Sequence, residues 1–95
     1  MSYLAKFVAR RQIQGNSVLL SDGTTGSSKS DTKKLQAPAQ GLHALAAGTV
    51  TYVDMDGNTA VITVLAGQDY AREIQQVKST GTTLADTEYG LLYGV

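Results

Sequence analysis

A chain of 95 residues without cysteine is long enough for one domain and excludes disulfide or thiol chemistry. Eight basic residues balance eight acidic ones, so the overall charge gives no indication of a nucleic-acid partner. No segment approaches the roughly 20 apolar residues of a membrane span, and the first residues lack the apolar core of a secretory signal. We therefore expect a small protein, made in the cytoplasm, that binds neither nucleic acid nor membrane.

Charge and aromatic residues are unevenly used. Residues 1–47 hold six basic and two acidic residues, whereas residues 48–95 hold two basic and six acidic ones. These halves either face solvent or meet head to tail between subunits. A chain this size buries roughly 60–70% of its unfolded surface, and five of its six aromatic residues are tyrosines, which suit half-buried sites and interfaces. We therefore predict a thin core that neighbouring subunits help to complete.

The first twenty residues permit two interpretations. Tyr3 and Phe7 share a face in either a helix or a strand over Met1–Ile13. Gln14–Ser17 is a turn signal, and the apolar run Val18–Leu20 follows it. This pattern favours a β-hairpin. The alternative is an extended arm that becomes ordered only against a partner.

The segment Ser21–Gln36 breaks the composition, because it consists largely of glycine, serine, threonine, aspartate and lysine. Such a segment buries too little apolar surface to offset its ordering entropy. We predict a flexible loop, or alternatively an arm that lies on a neighbouring subunit. With the hairpin or arm before it, this loop makes up an N-terminal region, residues 1–34, which precedes an antiparallel β domain, residues 35–95.

The β domain begins with Pro38, which keeps Ala37 extended, and continues into Gly41–Ala47. Both alternating faces of Gly41–Ala47 are largely apolar. This pattern predicts a strand that is central in its sheet or covered on both sides.

Two strands with a turn between them follow directly. Gly48–Met55 and Thr59–Leu65 are rich in β-branched and aromatic residues, and Asp56-Gly57-Asn58 is a hairpin turn signal. The remainder predicts two further strands, Tyr70–Ser79 and Glu88–Tyr93.

The segment Tyr70–Ser79 does not alternate regularly. Ile74 and Val77 are three residues apart and do not share a face of a regular strand. A β-bulge near Gln75 and Gln76 would align them. The chain as a whole is predicted to be all-β, a small antiparallel β-sandwich or barrel-like domain with an N-terminal hairpin or arm.

No pattern in the chain requires chemistry. His43 is the sole histidine and there is no cysteine, so a zinc-type site lacks ligands. Neither a G-x-S-x-G nucleophile elbow nor a glycine-rich phosphate loop occurs. We expect no enzyme activity and no catalytic or cofactor-binding residue.

One spacing resembles part of a calcium loop. Asp54, Asp56 and Asn58 are spaced like the first three ligands of an EF-hand. Thr59 then stands where the loop needs glycine, and Leu65 where it needs a bidentate glutamate. We interpret this stretch as a hairpin turn and expect no metal site.

Six stretches in order resemble small virion proteins of tailed phages and gene transfer agents, the head spike base type. The resemblance covers about residues 35–93, and its most distinctive part is Thr80–Thr83 followed by the closing Leu92-Tyr93. The stretches that carry it are Leu35–Leu42, Gly48–Val53, Asp56–Ile62, Leu65–Asp69, Ile74–Thr83 and Glu88–Tyr93.

The resemblance implies a non-enzymatic capsid accessory, a decoration, cement or spike-base protein on the capsid surface of the virion. It would be assembled in the host cytoplasm as a homo-oligomer, a trimer or pentamer, on the major capsid protein, with a spike or fibre protein as a further partner. The alternative function is a tail or baseplate adaptor or a carbohydrate-binding module with tyrosines at its site. The candidate interface residues are tyrosines, basic residues and one phenylalanine, namely Tyr3, Phe7, Arg10, Arg11, Lys33, Lys34, Tyr52, Tyr89 and Tyr93.

Overall fold

The computed structural model describes residues 11–94, which form seven β-strands and one short 3-10 helix. The strands are β1 (Arg11–Gln14), β2 (Gly41–Ala44), β3 (Gly48–Val53), β4 (Thr59–Val64), β5 (Asp69–Tyr70), β6 (Gln76–Val77) and β7 (Tyr89–Tyr93), and the helix is Asp86–Glu88.

The strands form two antiparallel sheets. The larger has the order β1-β7-β2-β5 and the smaller the order β4-β3-β6. Neither sheet closes into a barrel. The predicted all-β class is therefore confirmed as an open, sandwich-like arrangement.

The core lies between the sheets and draws on both. All five residues of β7 are buried, because β7 lies between β1 and β2. The strand β2 is flanked by β7 and β5, as its doubly apolar sequence predicts. The core residues are Val18, Leu20, Leu35, Ala39, Leu42, Ala44, Val50, Tyr52, Val64, Ile74, Val77, Leu84, Tyr89, Leu91 and Tyr93.

The predicted hairpin joins β3 to β4. The Asp54 carboxylate accepts the backbone N–H groups of Asp56 at 3.0 Å and Asn58 at 2.9 Å, and Gly57 has a φ of 85°. Aspartate commonly forms such bonds to the backbone two residues ahead, and glycine adopts positive φ without steric cost. The calcium-like spacing is thus a turn that already uses one carboxylate oxygen of Asp54.

The irregularity between Ile74 and Val77 is a change of sheet and not the predicted bulge within one strand. Ile74 forms a bridge with Ala39 next to the larger sheet, whereas β6 pairs with β3 in the smaller one. Both side chains are fully buried. They point into the same core because the chain crosses between the sheets at Gln75.

The described part of the predicted N-terminal hairpin pairs differently. A turn does follow β1, with the Ser17 N–H donating to the Gln14 carbonyl at 2.9 Å. β1 then pairs with β7, and Leu20 forms a bridge with Leu35. Burial of Val18 and Leu20 in the core favours these partners. Residues 1–10, with the rest of that prediction, lie outside the described residues.

The predicted flexible segment Ser21–Gln36, which we call the polar segment, packs on the sandwich of its own chain. The Ser30 N–H donates to the Val77 carbonyl and the Leu35 N–H to the Gln75 carbonyl, both at 2.8 Å. Leu35 is buried, and so is Ser28. A few buried side chains and backbone hydrogen bonds hold a segment whose composition is otherwise that of a free loop. Among residues 11–94, no helix is long and apolar enough to span a membrane.

Candidate interaction surface

Three of the predicted interface tyrosines are core residues. Tyr52 is 5% exposed, Tyr89 is fully buried and Tyr93 is 9% exposed. Their rings fill the space between the sheets, as large amphipathic side chains do when a thin core needs volume. Within residues 11–94 these three side chains therefore serve the core of one subunit, and their contact with a partner stays a prediction.

Each buried hydroxyl near β7 has a partner inside the chain. The Tyr89 hydroxyl is hydrogen-bonded to the Ser28 hydroxyl, and the Tyr93 hydroxyl donates to the Ala37 carbonyl at 3.1 Å. Burial raises the pKa of Tyr89 and that of Tyr93 above the ordinary value for tyrosine. These groups therefore stay protonated and serve packing.

The basic candidates among residues 11–94 lie on the surface. Arg11 is exposed in β1, an edge strand of the larger sheet. The Lys33 ammonium lies 2.7 Å from the Asp22 carboxylate, and Lys34 is exposed. Hydrogen bonds from Lys33 and then Thr24 hold the pKa of Asp22 well below its usual range. Tyr3, Phe7 and Arg10 lie outside the described residues.

The basic and acidic halves meet within the chain at one point. The Lys29 ammonium donates to the Leu84 carbonyl at 2.8 Å and lies 3.8 Å from the Asp86 carboxylate. This contact lies beside the 3-10 helix, where the polar segment crosses the C-terminal region. At this point the charge asymmetry contributes to the fold of one subunit.

The sole histidine has a carboxylate partner. His43 and Asp69 are cross-strand neighbours in β2 and β5, and His43 Nδ1 is hydrogen-bonded to the Asp69 carboxylate. Such a pair orients an imidazole, but hydrolysis by a triad also needs a nucleophile on the opposite ring nitrogen. Within residues 11–94 neither a hydroxyl partner for that nitrogen nor a group of three potential metal ligands is present.

Two shallow grooves adjoin the connection from β5 to β6. One is lined by Pro38, Ala39, Gln40, Met55 and Glu73, and the other by Gln40, Ala71, Arg72 and Glu73. Sugar-binding sites usually present aromatic rings for stacking. Neither groove has a tyrosine in its lining, so the tyrosines do not mark a carbohydrate site here.

The exposed apolar side chains concentrate on the β3–β4 hairpin and its flanks. Val61 is 62% exposed, Leu65 is 60%, Leu45 is 49% and Met55 is 47%. Only Leu19, at 44%, lies elsewhere among the large apolar residues that are this exposed in the described chain. Exposed apolar surface is typical of protein-binding sites, and Val61 and Leu65 are the two most exposed of these residues. We refer to β4 and Leu65 as the β4 edge.

The backbone of the β4 edge has hydrogen-bonding groups that face away from the sheet. The closing bond of the hairpin, from the Asp54 N–H to the Asn58 carbonyl at 2.9 Å, fixes the alternation along β4. Hydrogen-bonded pairs alternate with non-bonded pairs in an antiparallel ladder. Ala60, Ile62 and Val64 therefore bond to β3, and the intervening residues Thr59, Val61 and Thr63 direct their N–H and C=O groups outward.

The other sheet edges in residues 11–94 are shorter, charged or covered. The polar segment covers β6, since Lys29 forms a bridge with Val77 and the Ser30 N–H bonds its carbonyl. β5 has two residues, and β1 carries Arg11. Short, charged or covered edges resist pairing with other chains. Within the part of the chain that the structure describes, the β4 edge has none of these protections.

The sequence contained a signal for this surface that the predictions above do not use. From Gly57 to Gln68 there is no charged residue, although the chain is 17% charged overall. A long uncharged strand is common in the centre of a sheet and unusual at its edge.

No protein-family model, curated protein or solved structure matches this chain.

Proposed function

We propose that this chain is a non-enzymatic structural protein of a tailed-phage virion, a capsid accessory that oligomerises on the major capsid protein shell. It acts there as head decoration, cement or the base of a spike. The β4 edge carries this proposal, because it is an exposed and uncharged strand edge on a domain of only 10.0 kDa. The resemblance of residues 35–93 to head spike base proteins supplies the class of partner.

A scaffold whose longest connection, between β1 and β2, is held against the sandwich suits a structural role. The polar segment is tied to the sandwich, and the tyrosines are used in the core, so the surface changes little when a partner binds. The partners that we propose are further copies of the chain in a trimer or pentamer, the major capsid protein, and a spike or fibre protein.

The test is binding to shells. Purified protein is mixed with empty capsids of the phage that encodes it, from which the chain has been deleted, and sedimented. We expect saturable co-sedimentation at a fixed ratio to the major capsid protein. Mass spectrometry of intact virions should find the chain at the same ratio. Absence from virions together with no co-sedimentation would refute the proposal.

The alternative is a tail or baseplate adaptor, which would use the same exposed surface. The same virions distinguish the two, because an adaptor would remain with purified tails and be absent from tailless heads. A carbohydrate-binding role is less well supported, because Tyr52, Tyr89 and Tyr93 are buried.

A further inference from the structure

We infer that the β4 edge binds the β4 edge of a second copy, antiparallel and across a two-fold axis at Val61. The inference deepens the proposed function and rests on it, because the proposed function already includes association of several copies of the chain. It adds a contact between copies that the predicted three-fold or five-fold symmetry does not itself provide.

The free length of the edge is defined at both ends. The hairpin turn closes it before Thr59, where Asn58 already pairs with Asp54. At the other end the Leu65 N–H donates to the Tyr70 hydroxyl at 2.8 Å. Among the described residues, the backbone groups left without a partner therefore belong to the odd-numbered residues between these ends, Thr59, Val61 and Thr63.

This free length is self-complementary in one register. When Val61 is opposite Val61 of the second copy, Thr59 is opposite its Thr63, and Thr63 is opposite its Thr59. Each of these outward-facing residues then lies in a hydrogen-bonded pair, in which two residues exchange both backbone bonds. If the register shifts by two residues, one of the three residues Thr59, Val61 and Thr63 lies opposite a residue outside the free length.

The side chains in this register favour association. Val61, the most exposed large apolar residue among residues 11–94, meets its own copy on the outer face. On the inner face, the half-buried Ala60 lies opposite Ile62, which extends both cores. Like charges do not meet, since residues 57–68 carry none.

The strand that pairs with the β4 edge comes from a second copy, because the edge itself has every group that such pairing needs. Two-fold contacts join the same patch on both partners, so an edge that complements itself is sufficient. The net charge of the chain is zero at pH 7, so long-range repulsion between copies is small. In a shell, neighbouring trimers or pentamers meet across such two-fold axes, and this contact would link them.

Cysteine crosslinking tests the register, because the natural chain has no cysteine. In Val61→Cys the two thiols belong to residues about 5.5 Å apart between Cα atoms, within the range of a disulfide. In the control Thr59→Cys the two cysteines are about 13 Å apart along the strands, which is too far. A mixture of Thr59→Cys and Thr63→Cys chains brings one of each opposite the other.

Under mild oxidation we expect a disulfide-linked dimer as the main product for Val61→Cys and for the mixture. Thr59→Cys and Thr63→Cys alone should give only background crosslinking. Equal crosslinking of Val61→Cys and Thr59→Cys, or preferential crosslinking of Thr63→Cys alone, would overturn the inference. Each variant is first checked by circular dichroism, and all three positions are exposed enough for the fold to be kept.

Light scattering at increasing concentration is the second measurement. Each chain has one β4 edge, so where this edge is the sole contact between copies we expect the average mass to rise from 10.0 kDa toward twice that value, and Val61→Lys to prevent the rise. A mass that Val61→Lys leaves unchanged would contradict the inference. The capsid role is tested separately: loss of shell binding with intact Val61→Cys crosslinking would refute only the proposed function, and the reverse result only the edge contact.

Discussion

The polar segment Ser21–Gln36 and the hairpin of β3 and β4 use their side chains in opposite ways. The polar segment has almost no regular structure, yet Ser28 and Leu35 are buried and its backbone bonds to Gln75 and Val77. The hairpin is the most regular part of the fold, yet alternate residues of β4 face solvent, with Val61 at 62% exposure.

Composition and attachment to the core are therefore separate properties of a segment. A polar segment is held by a small number of well-placed contacts, because each buried group and paired backbone amide counts individually. A β-rich segment forms a strand whether or not both its edges are paired. Its unpaired edge is then available to another chain.

The largest expected effect comes from two leucines, one in each region. Leu35→Ala removes a buried side chain from the polar segment and should lower the free energy of unfolding by about 2–5 kcal/mol. Leu65→Ala removes a side chain that is 60% exposed and should change it by less than about 0.5 kcal/mol. Urea unfolding at low protein concentration measures both. Equal losses of unfolding free energy would contradict the view that the polar segment is attached to the core while the β4 edge is not.

A smaller effect is expected at the buried hydroxyl pair that ties the polar segment to β7. Ser28→Ala leaves the Tyr89 hydroxyl buried without its partner and should cost about 1–3 kcal/mol. Tyr89→Phe alone leaves Ser28 unpaired instead. The double variant should be more stable than the sum of the single losses predicts. Additive losses in this double-mutant cycle would show that the hydroxyls do not interact.

Alkaline pH provides a third test. The pKa of Tyr89 is raised by burial above the ordinary value of 10.0, so the folded state keeps a proton that the unfolded state loses. This contribution is complete below pH 10.0 and is lost as the pH rises toward the folded pKa, by up to about 1.4 kcal/mol per pH unit. Tyrosinate absorbance should show Tyr89 ionising only with unfolding, and Tyr89→Phe should remove that component of the titration.

The smallest effect concerns Asp31, where the polar segment contacts the loop before the 3-10 helix. Hydrogen bonds from the Thr80 hydroxyl at 2.6 Å and the Thr80 N–H at 3.0 Å lower the pKa of Asp31 below 3.8. Its stabilising contribution is present above pH 3.8 and is lost as the pH falls through the lowered value.

Thr80→Ala removes the hydroxyl donor, so the pKa of Asp31 should move up toward 3.8, as measured by NMR titration of the carboxyl carbon. Thr32→Ala, a threonine of the same segment that does not bond Asp31, is the matched control. A pKa that is the same in both variants would show that the Thr80 hydroxyl does not hold the segment.

The elements with strong local signals can be predicted from the amino-acid sequence. The β3–β4 hairpin follows from β-branched strands around Asp56-Gly57-Asn58, and the closing strand β7 follows from the apolar Tyr89–Tyr93. The doubly apolar Gly41–Ala47 also predicted a central strand. These features depend on neighbouring residues, so a local pattern contains them.

The tertiary structure determines which side chains and strand edges are buried. It buried Tyr52, Tyr89 and Tyr93, which the sequence suggested as interface candidates, and it packed the polar segment on the sandwich. It also left β4 at an edge. These outcomes depend on which strands pair over long sequence separations, and a tyrosine or valine has the same local pattern in a sheet centre as at its edge.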